Sequence, residues 1–203
     1  MLPVIMSLAL PTMIEQVLHT AVQYIDTAMV GSLGTSATAA VGATTTVNWL
    51  ISSTVSAVGV GFLAVISQAI GAGKPEKAKR AAAQAVTIAL ITGLLFTVVA
   101  LSLSGVIPVW MQVDPGIRRI ASRYFFILYT PMLFRTASMI FGTILRAAGD
   151  TKTPMWVGFT VNIINIILNF MLIYPTRAVS IFGNELTVFG ADMGIAGAAV
   201  GSA

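Results

Sequence analysis

Four polar side chains, Glu15, His19, Gln23 and Asp26, interrupt a segment otherwise built mainly of Leu, Val, Ala and Met. On a helix turning ~100° per residue they fall at about 0°, 40°, 80° and 20°, so all four share one stripe. Ionisable groups in a helix that crosses a membrane are costly, about 2.5–3.5 kcal/mol at the helix centre, so such a stripe faces a protein interior or a wet cavity. Two kinds of chemistry fit it. One is interhelical hydrogen bonding that helps helices pack. The other is a proton or cation site centred on Asp26, since a carboxyl held out of bulk water can load and release a proton. Glu15 alone reads equally well as an interfacial residue, and a single His19 is more often a polar partner than a relay.

A second set lies far along the chain. Asn162, Asn165 and Asn169 are spaced by three and four, within one arc of a helix face of about 60°. An asparagine carbonyl can coordinate a hard cation without adding charge; the alternative is a packing seam of amides. Arg135 falls in the middle of another apolar segment and needs a partner or a cavity. The Gly197-xxx-Gly201 pair reads as close helix packing, and Arg146 and Asp150 as contacts that order a loop.

The elements that must position these groups are membrane helices. Of 203 residues, 57% are hydrophobic and 9% charged, far below the roughly 25% charged of an average globular domain. Mean hydropathy is +0.92. Thr27–Gly73, Ala81–Val113 and Thr153–Thr176 carry no charge over 47, 33 and 24 residues, where about 20 apolar residues suffice to cross a bilayer. The reading is an all-α polytopic membrane protein with spans at about 2–30, 37–70, 81–106, 120–145, 154–174 and 193–203, the last incomplete. Pro11 places a bend in span 1. Pro131 and Arg135 interrupt span 4, and Pro154 suits the first turn of span 5. Gly71–Arg80 reads as a polar loop. Val179–Phe182 and Leu186–Phe189, flanking Gly-Asn-Glu, read as a small interfacial hairpin.

Lys74, Lys77, Lys79, Arg80, Arg146 and Lys152 fall between spans 2–3 and 4–5, against Arg118, Arg119, Arg123 and Arg177 on the other side. The excess of basic residues puts the first group, and the N-terminus, in the cytoplasm. No cysteine and a single histidine exclude disulfides and multi-histidine metal centres. No GxSxG, HExxH or GxxxxGK[ST] pattern supports an enzyme or an ATP-driven pump. With its basic residues in short loops that set topology, the chain has no nucleic-acid reading. Starting in one span and stopping in the apolar run Met193–Ala203, it reads as part of something longer.

Several pieces, in order and spacing, resemble the multidrug and toxic compound extrusion (MATE) family. They are Leu10-Pro11, Tyr24-Ile-Asp-Thr-Ala-Met-Val-Gly31, Ser67-Gln-Ala-Ile-Gly-Ala-Gly73, Leu145-Arg-Ala-Ala-Gly-Asp-Thr-Lys-Thr-Pro-Met155, Asn165-Ile-Ile-Leu-Asn169 and Met193-Gly-Ile-Ala-Gly-Ala-Ala199. The likeness covers essentially all 203 residues and matches the N-terminal half of that family's twelve-helix chain. It implies one six-helix lobe of a multi-pass antiporter of the inner or plasma membrane, working with a C-terminal lobe around a central cavity. The implied activity is export of small, cationic, amphipathic compounds against H⁺ or Na⁺, with no other cofactor. By the same resemblance Asp26 is the ion-coupling aspartate of span 1, Pro11 marks where that span bends, Asn165 belongs to a cation site, and Ser202 stands where a hydroxyl, usually threonine, is found. Na⁺ would lie at Asp26, Asn165 and Asn169. Some members have aspartate where this chain has Asn169; the amide removes one negative charge and leaves Asp26 as the main titrating group. Glu15, His19, Gln23 and Asn162 remain a polar stripe or cavity lining. The alternatives are a lipid-linked sugar or polysaccharide flippase of the wider superfamily, against which stands the single mid-span base Arg135, and a non-transporting membrane scaffold, which needs no acidic stripe.

Overall fold

The computed structural model describes residues 2–181 and 184–203, with side chains for 6–176 and 189–203. In chain order the elements are α1 (Leu2–Gly31), α2 (Thr35–Gly71), α3 (Pro75–Leu103), α4 (Ile107–Trp110), α5 (Arg118–Tyr129), α6 (Met132–Ala147), α7 (Lys152–Ile173), β1 (Pro175–Ile181), β2 (Asn184–Ala191) and α8 (Ile195–Ser202). Among the described residues, α2, α3 and α7 are each long and apolar enough to cross a membrane, and the broken pair α5–α6 counts as a fourth. With 37 residues, α2 is about 55 Å long at 1.5 Å per residue, well beyond a hydrocarbon core of about 30 Å. Large apolar side chains such as Trp49, Phe134 and Trp156 lie on the surface, where acyl chains take the place of a core.

Helix ends follow the turn residues. Gly73 takes φ +67° after α2; its N–H donates to Ile70 O at 3.0 Å and that of Lys74 to Ala69 O at 2.9 Å. Gly149 closes α6 in the same way at φ +92°, with its own N–H on Arg146 O and that of Asp150 on Leu145 O, both at 3.0 Å. This paired pattern satisfies the last carbonyls of each helix and requires a left-handed residue, which glycine adopts without a Cβ clash. Asp150 then opens α7: its Oδ1 accepts from the backbone N–H of Lys152 and Thr153 at 3.1 and 3.0 Å, and its Oδ2 from Thr153 Oγ1 at 2.6 Å. The hydroxyl of Thr153, followed by these backbone N–H groups, holds the Asp150 carboxyl below its ordinary range.

Two boundaries differ from the sequence reading. The basic run is not all loop, because Pro75 starts α3 and places Lys77, Lys79 and Arg80 on its first turns. There Lys79 pairs with Glu76 at 2.9 Å. Proline has no N–H to contribute and suits a first helical position. The segment expected to join spans 3 and 4 contains the short α4, with Pro108 in its first turn. The expected interruption of span 4 falls at Pro131, which cannot donate into the ladder and divides it into two helices, while Arg135 lies inside α6; Thr130 turns its N–H and hydroxyl back onto Phe126 O at 3.1 and 2.8 Å. By contrast, α1 is helical on both sides of Pro11, and Thr12 Oγ1 donates to Leu8 O at 3.1 Å beside it.

The expected hairpin is present, with Val179 opposite Leu186 and Ile181 opposite Asn184. Asn184 and Glu185 therefore belong to β2 rather than to the turn, and Phe182 and Gly183 lie outside the described residues.

The described residues group into two compact units. One holds α1 through Leu18, Thr46–Val99 and Pro131–Thr160. Its contacts are alanine-rich: Ala69, Ala78, Ala81 and Ala147 pack with Ile66, and Ala85 and Ala89 pack with Ile140. Small side chains let helix backbones approach where no hydrophobic effect drives association. Gly93 extends this logic, since a Cβ there would stand 3.0 Å from Leu133 Cδ1 and 3.1 Å from Leu133 Cα. The second unit holds His19–Thr45, Ala100–Thr130 and Val161–Ala203. Ala40, Val113 and Ala121 pack together there, and the rings of Phe125 and Tyr129 lie 4.3 Å apart.

Two outcomes are expected. Gly93→Val should destabilise the purified membrane protein by about 1–3 kcal/mol through overpacking, while Gly61→Ala, which meets nothing within 4 Å, should hold or gain up to about 1 kcal/mol. Equal melting temperatures for the two variants would contradict this account of the helix contact. Asp150, its pKa lowered by folding, contributes stability that is present above its unfolded value and lost as pH falls through the folded one. Melting curves of Asp150→Ala and the parent should therefore differ at neutral pH and converge in acid, and a gap that persists unchanged into acid would refute the capping role.

Candidate functional site

Within the second unit, α7 carries Asn165 and Asn169 one turn apart. Asn169 is 1% exposed, and its Nδ2 donates to Asp26 Oδ1 at 2.8 Å and to Asn165 Oδ1 at 3.3 Å. Asn165 Nδ2 in turn donates to the backbone carbonyl of Gly201 at 2.8 Å. A single chain of contacts thus runs from the Gly201 carbonyl through two side-chain amides to the α1 carboxylate. Both hydrogens of the Asn169 amide are used, which fixes its orientation. Its Oδ1 is buried and has no donor among the described residues.

The seating of α8 explains why these groups meet. The N–H groups of Asp192, Met193 and Gly194 donate to the carbonyls of Tyr174, Leu172 and Ile173 at 3.1, 2.9 and 3.2 Å. The entry to α8 is thereby tied to the end of α7. An added Cβ at Gly197 would collide with the Leu172 carbonyl, and one at Gly201 with Asn169 Oδ1. The two glycines, four residues apart, allow α8 to lie directly on α7 and bring a bare backbone carbonyl to Asn165. Sequence reasoning assigned Gly201 to packing and missed its carbonyl. The glycine pair signals a close approach, with Gly201 against Asn169 and Gly197 against Leu172 and Ile173, but nothing local in the sequence assigns the Gly201 carbonyl to Asn165.

The polar stripe of α1 divides. Asp26 is half-buried and belongs to the amide chain, whereas His19 and Gln23 lie on the surface. With Thr20, Tyr24 and Thr27, Gln23 lines an open cavity of about 270 Å³. Asn162 is half-buried one turn before Asn165, and among the described residues neither it nor Ser202 makes a side-chain hydrogen bond to the set.

Glu15 belongs to the other unit, where its Oε1 accepts from Arg146 Nη2 at 2.7 Å. About a quarter of each side chain is exposed. Gly158 leaves room for the Glu15 carboxyl, and Gly142 for the guanidinium. Arg146, read from sequence as a loop contact, is the counter-ion of the span-1 glutamate, across 131 residues of chain. Arg135, in the same unit, faces Asn48 with Nη1 3.4 Å from Oδ1.

A family model described as MatE matches residues 11–171. The chain is 31% identical over 196 residues to the "Probable multidrug resistance protein NorM" of Thermotoga maritima, covering 97% of this chain and 40% of that protein. It is 27% identical to an "FAD transporter" of Shewanella oneidensis, over 84% of this chain and 38% of that one. Among solved structures, an outward-facing multidrug resistance MATE family transporter superposes with TM-score 0.87 at 25% identity, over 98% of this chain and 41% of the other. A transporter of the wider MOP superfamily from Pyrococcus furiosus, whose report infers a different function from a reversed polarity of its binding pocket, superposes with TM-score 0.84 at 26% identity and the same coverage. The chain thus spans about 40% of the length of the relatives it matches.

The amide chain makes a direct prediction. Gly201→Ala should displace Asn169 and so break the donation to Asp26, whereas Ala198→Gly, on the same helix, should leave the chain intact. A solved structure of the Gly201→Ala variant should show Asn169 Nδ2 withdrawn from Asp26 Oδ1, against 2.8 Å in the parent; an unchanged contact would refute the role of Gly201.

Proposed function

Because the chain belongs to the MatE family and has the helical fold of one lobe of its membrane transporters, we propose that it forms the N-terminal lobe of an efflux antiporter whose coupling ion loads at Asp26. The observation that carries this reading is the donation of Asn169 Nδ2 to Asp26 Oδ1 at 2.8 Å, within a set that also holds Asn165 and the Gly201 carbonyl. The set consists of oxygens and amides, the hard-ligand chemistry that H⁺ or Na⁺ requires. In the charged state Asp26 only accepts, and the Asn169 amide matches it with N–H. Once protonated, Asp26 gains an O–H donor, and Asn169 Oδ1 is an acceptor that lacks one. Rotating the Asn169 amide pairs the two and frees Asn165. A Na⁺ ion would use the same rotation to gather the amide oxygens with Asp26, joined by Ser202 after a small movement of α8.

Loading then alters α1, whose ladder is weakest at Pro11, and the cavity beside Gln23 and Tyr24 releases its substrate. The basic residues at the ends of α2 and α6 and the start of α3 favour a cytoplasmic N-terminus and a place in the cell membrane. The names of the multidrug relatives support drug-like substrates, and cationic, amphipathic compounds are the class proposed here. Arg135 favours a second reading, export of an anionic amphiphile: it is half-buried within a span and has no acidic partner among the described residues. The relative named as an FAD transporter is consistent with that polarity.

Asp26→Asn in the full-length transporter should abolish ion-driven efflux of a cationic dye at unchanged protein abundance. Unaltered efflux would sink the proposal. The same assay with an anionic dye, exported by the parent and lost on Arg135→Gln, would select the second reading.

A further inference from the structure

Away from the amide chain, the second unit has a cavity of about 270 Å³ framed by Arg119, Arg123 and Tyr124 of α5 and by Met193, Ile195 and Ala196 at the start of α8. We propose that this cavity binds the phosphodiester of an anionic phospholipid headgroup. Arg119 and Arg123 are four residues apart, on one face of the first turns of α5. Both are exposed, and neither forms an ion pair among the described residues. Their neighbours in sequence are committed elsewhere. Arg118 Nε donates to Val113 O at 2.8 Å, and Asp114 Oδ1 accepts the Gly116 N–H at 2.7 Å within its own turn. Asp192, beside Met193, is exposed and pairs with neither arginine.

Two guanidinium groups without a protein counter-ion present forked donors suited to phosphate oxygens. Apart from the Tyr124 hydroxyl, the other lining side chains, Ile120, Met193, Ile195 and Ala196, are apolar, which suits the glycerol and first methylenes of a lipid. The cavity also lies at the first turn of α5, which opens the broken pair long and apolar enough to cross a membrane, and the ends of a spanning helix meet the headgroups. The inference rests on the membrane reading but not on the identity of the transported substrate or ion.

Native mass spectrometry of the full-length transporter, in detergent with phosphatidylglycerol or phosphatidylcholine of matched chains, tests it. Two arginines at an anionic lipid surface correspond to a preference of roughly 30-fold. The parent should retain phosphatidylglycerol over phosphatidylcholine by about that factor; Arg119→Gln with Arg123→Gln should lose the preference, and Arg119→Lys with Arg123→Lys should keep most of it. Asp26→Asn should keep it too, which separates this site from the ion site. Equal retention of the two lipids by the parent, or an unchanged preference in a glutamine pair that elutes as the parent does, would overturn the proposal. So would displacement of phosphatidylglycerol by millimolar inorganic phosphate, which would assign the cavity to a free anion. Should the glutamine pair aggregate, the parent's preference and its response to phosphate still decide.

Discussion

A carboxylate drawn partly out of water within a membrane protein loses hydrogen-bond donors that its surroundings must replace. Asp26 finds one in Asn169, 143 residues away in sequence. Most features of the second unit follow from keeping that donor in place. The amide must be buried, so that water does not compete for its hydrogens. It must also be oriented, since an asparagine presents oxygen as readily as nitrogen. Asn165 supplies the orientation by accepting the second hydrogen, and it is itself anchored by the Gly201 carbonyl. Deleting any member leaves a buried polar group unpaired, and that cost exceeds the net gain from making a single hydrogen bond.

The backbone carbonyl of Gly201 in α8 anchors the amide chain by accepting from Asn165 Nδ2 at 2.8 Å. Glycine at 197 and 201 does what no larger residue could. It brings that carbonyl within hydrogen-bond range of a side chain on α7, whose own backbone is in contact with α8. The three N–H groups that join the α8 entry to Leu172, Ile173 and Tyr174 set the register of this contact. The β1–β2 hairpin, which separates α7 from α8 in sequence, returns the chain to the end of the helix it left.

Much of this was legible in the residues. Long charge-free runs mark the membrane helices because the bilayer imposes both length and apolarity. Asp26, Asn165 and Asn169 stand out because polar groups are rare in such runs and share helix faces. Helix ends at Gly73 and Gly149 followed from turn chemistry that is local. What was not legible is pairing across the chain. Nothing local tells Glu15 that its counter-ion is Arg146, and periodicity alone placed Glu15 with Asp26 when the fold gives each a separate partner. The break at Pro131 was visible as a proline, yet the start of α3 at Pro75 was misread, because the same residue that ends one helix can begin another. The position of proline relative to a neighbouring turn decides between them, and in the second case Gly73, two residues earlier, had already supplied the stop.

Asn169 carries the most specific chemical consequence. Two carboxylates at this distance would share one proton and leave a single net charge. An amide facing one carboxylate reaches the same net charge with no proton shared. Asp26 is then the one ionisable group of the set, and in the proposed cycle its change of state is a change of one proton or one monovalent cation. The geometry adds a limit on how that change is transmitted. The Asn169 amide can face Asp26 with nitrogen or with oxygen, and each choice dictates whether Asn165 is held or released. In the proposed mechanism a charge step at α1 would become a choice between two hydrogen-bond arrangements on α7 and α8, and two discrete arrangements are what coupling between an ion and a conformation requires.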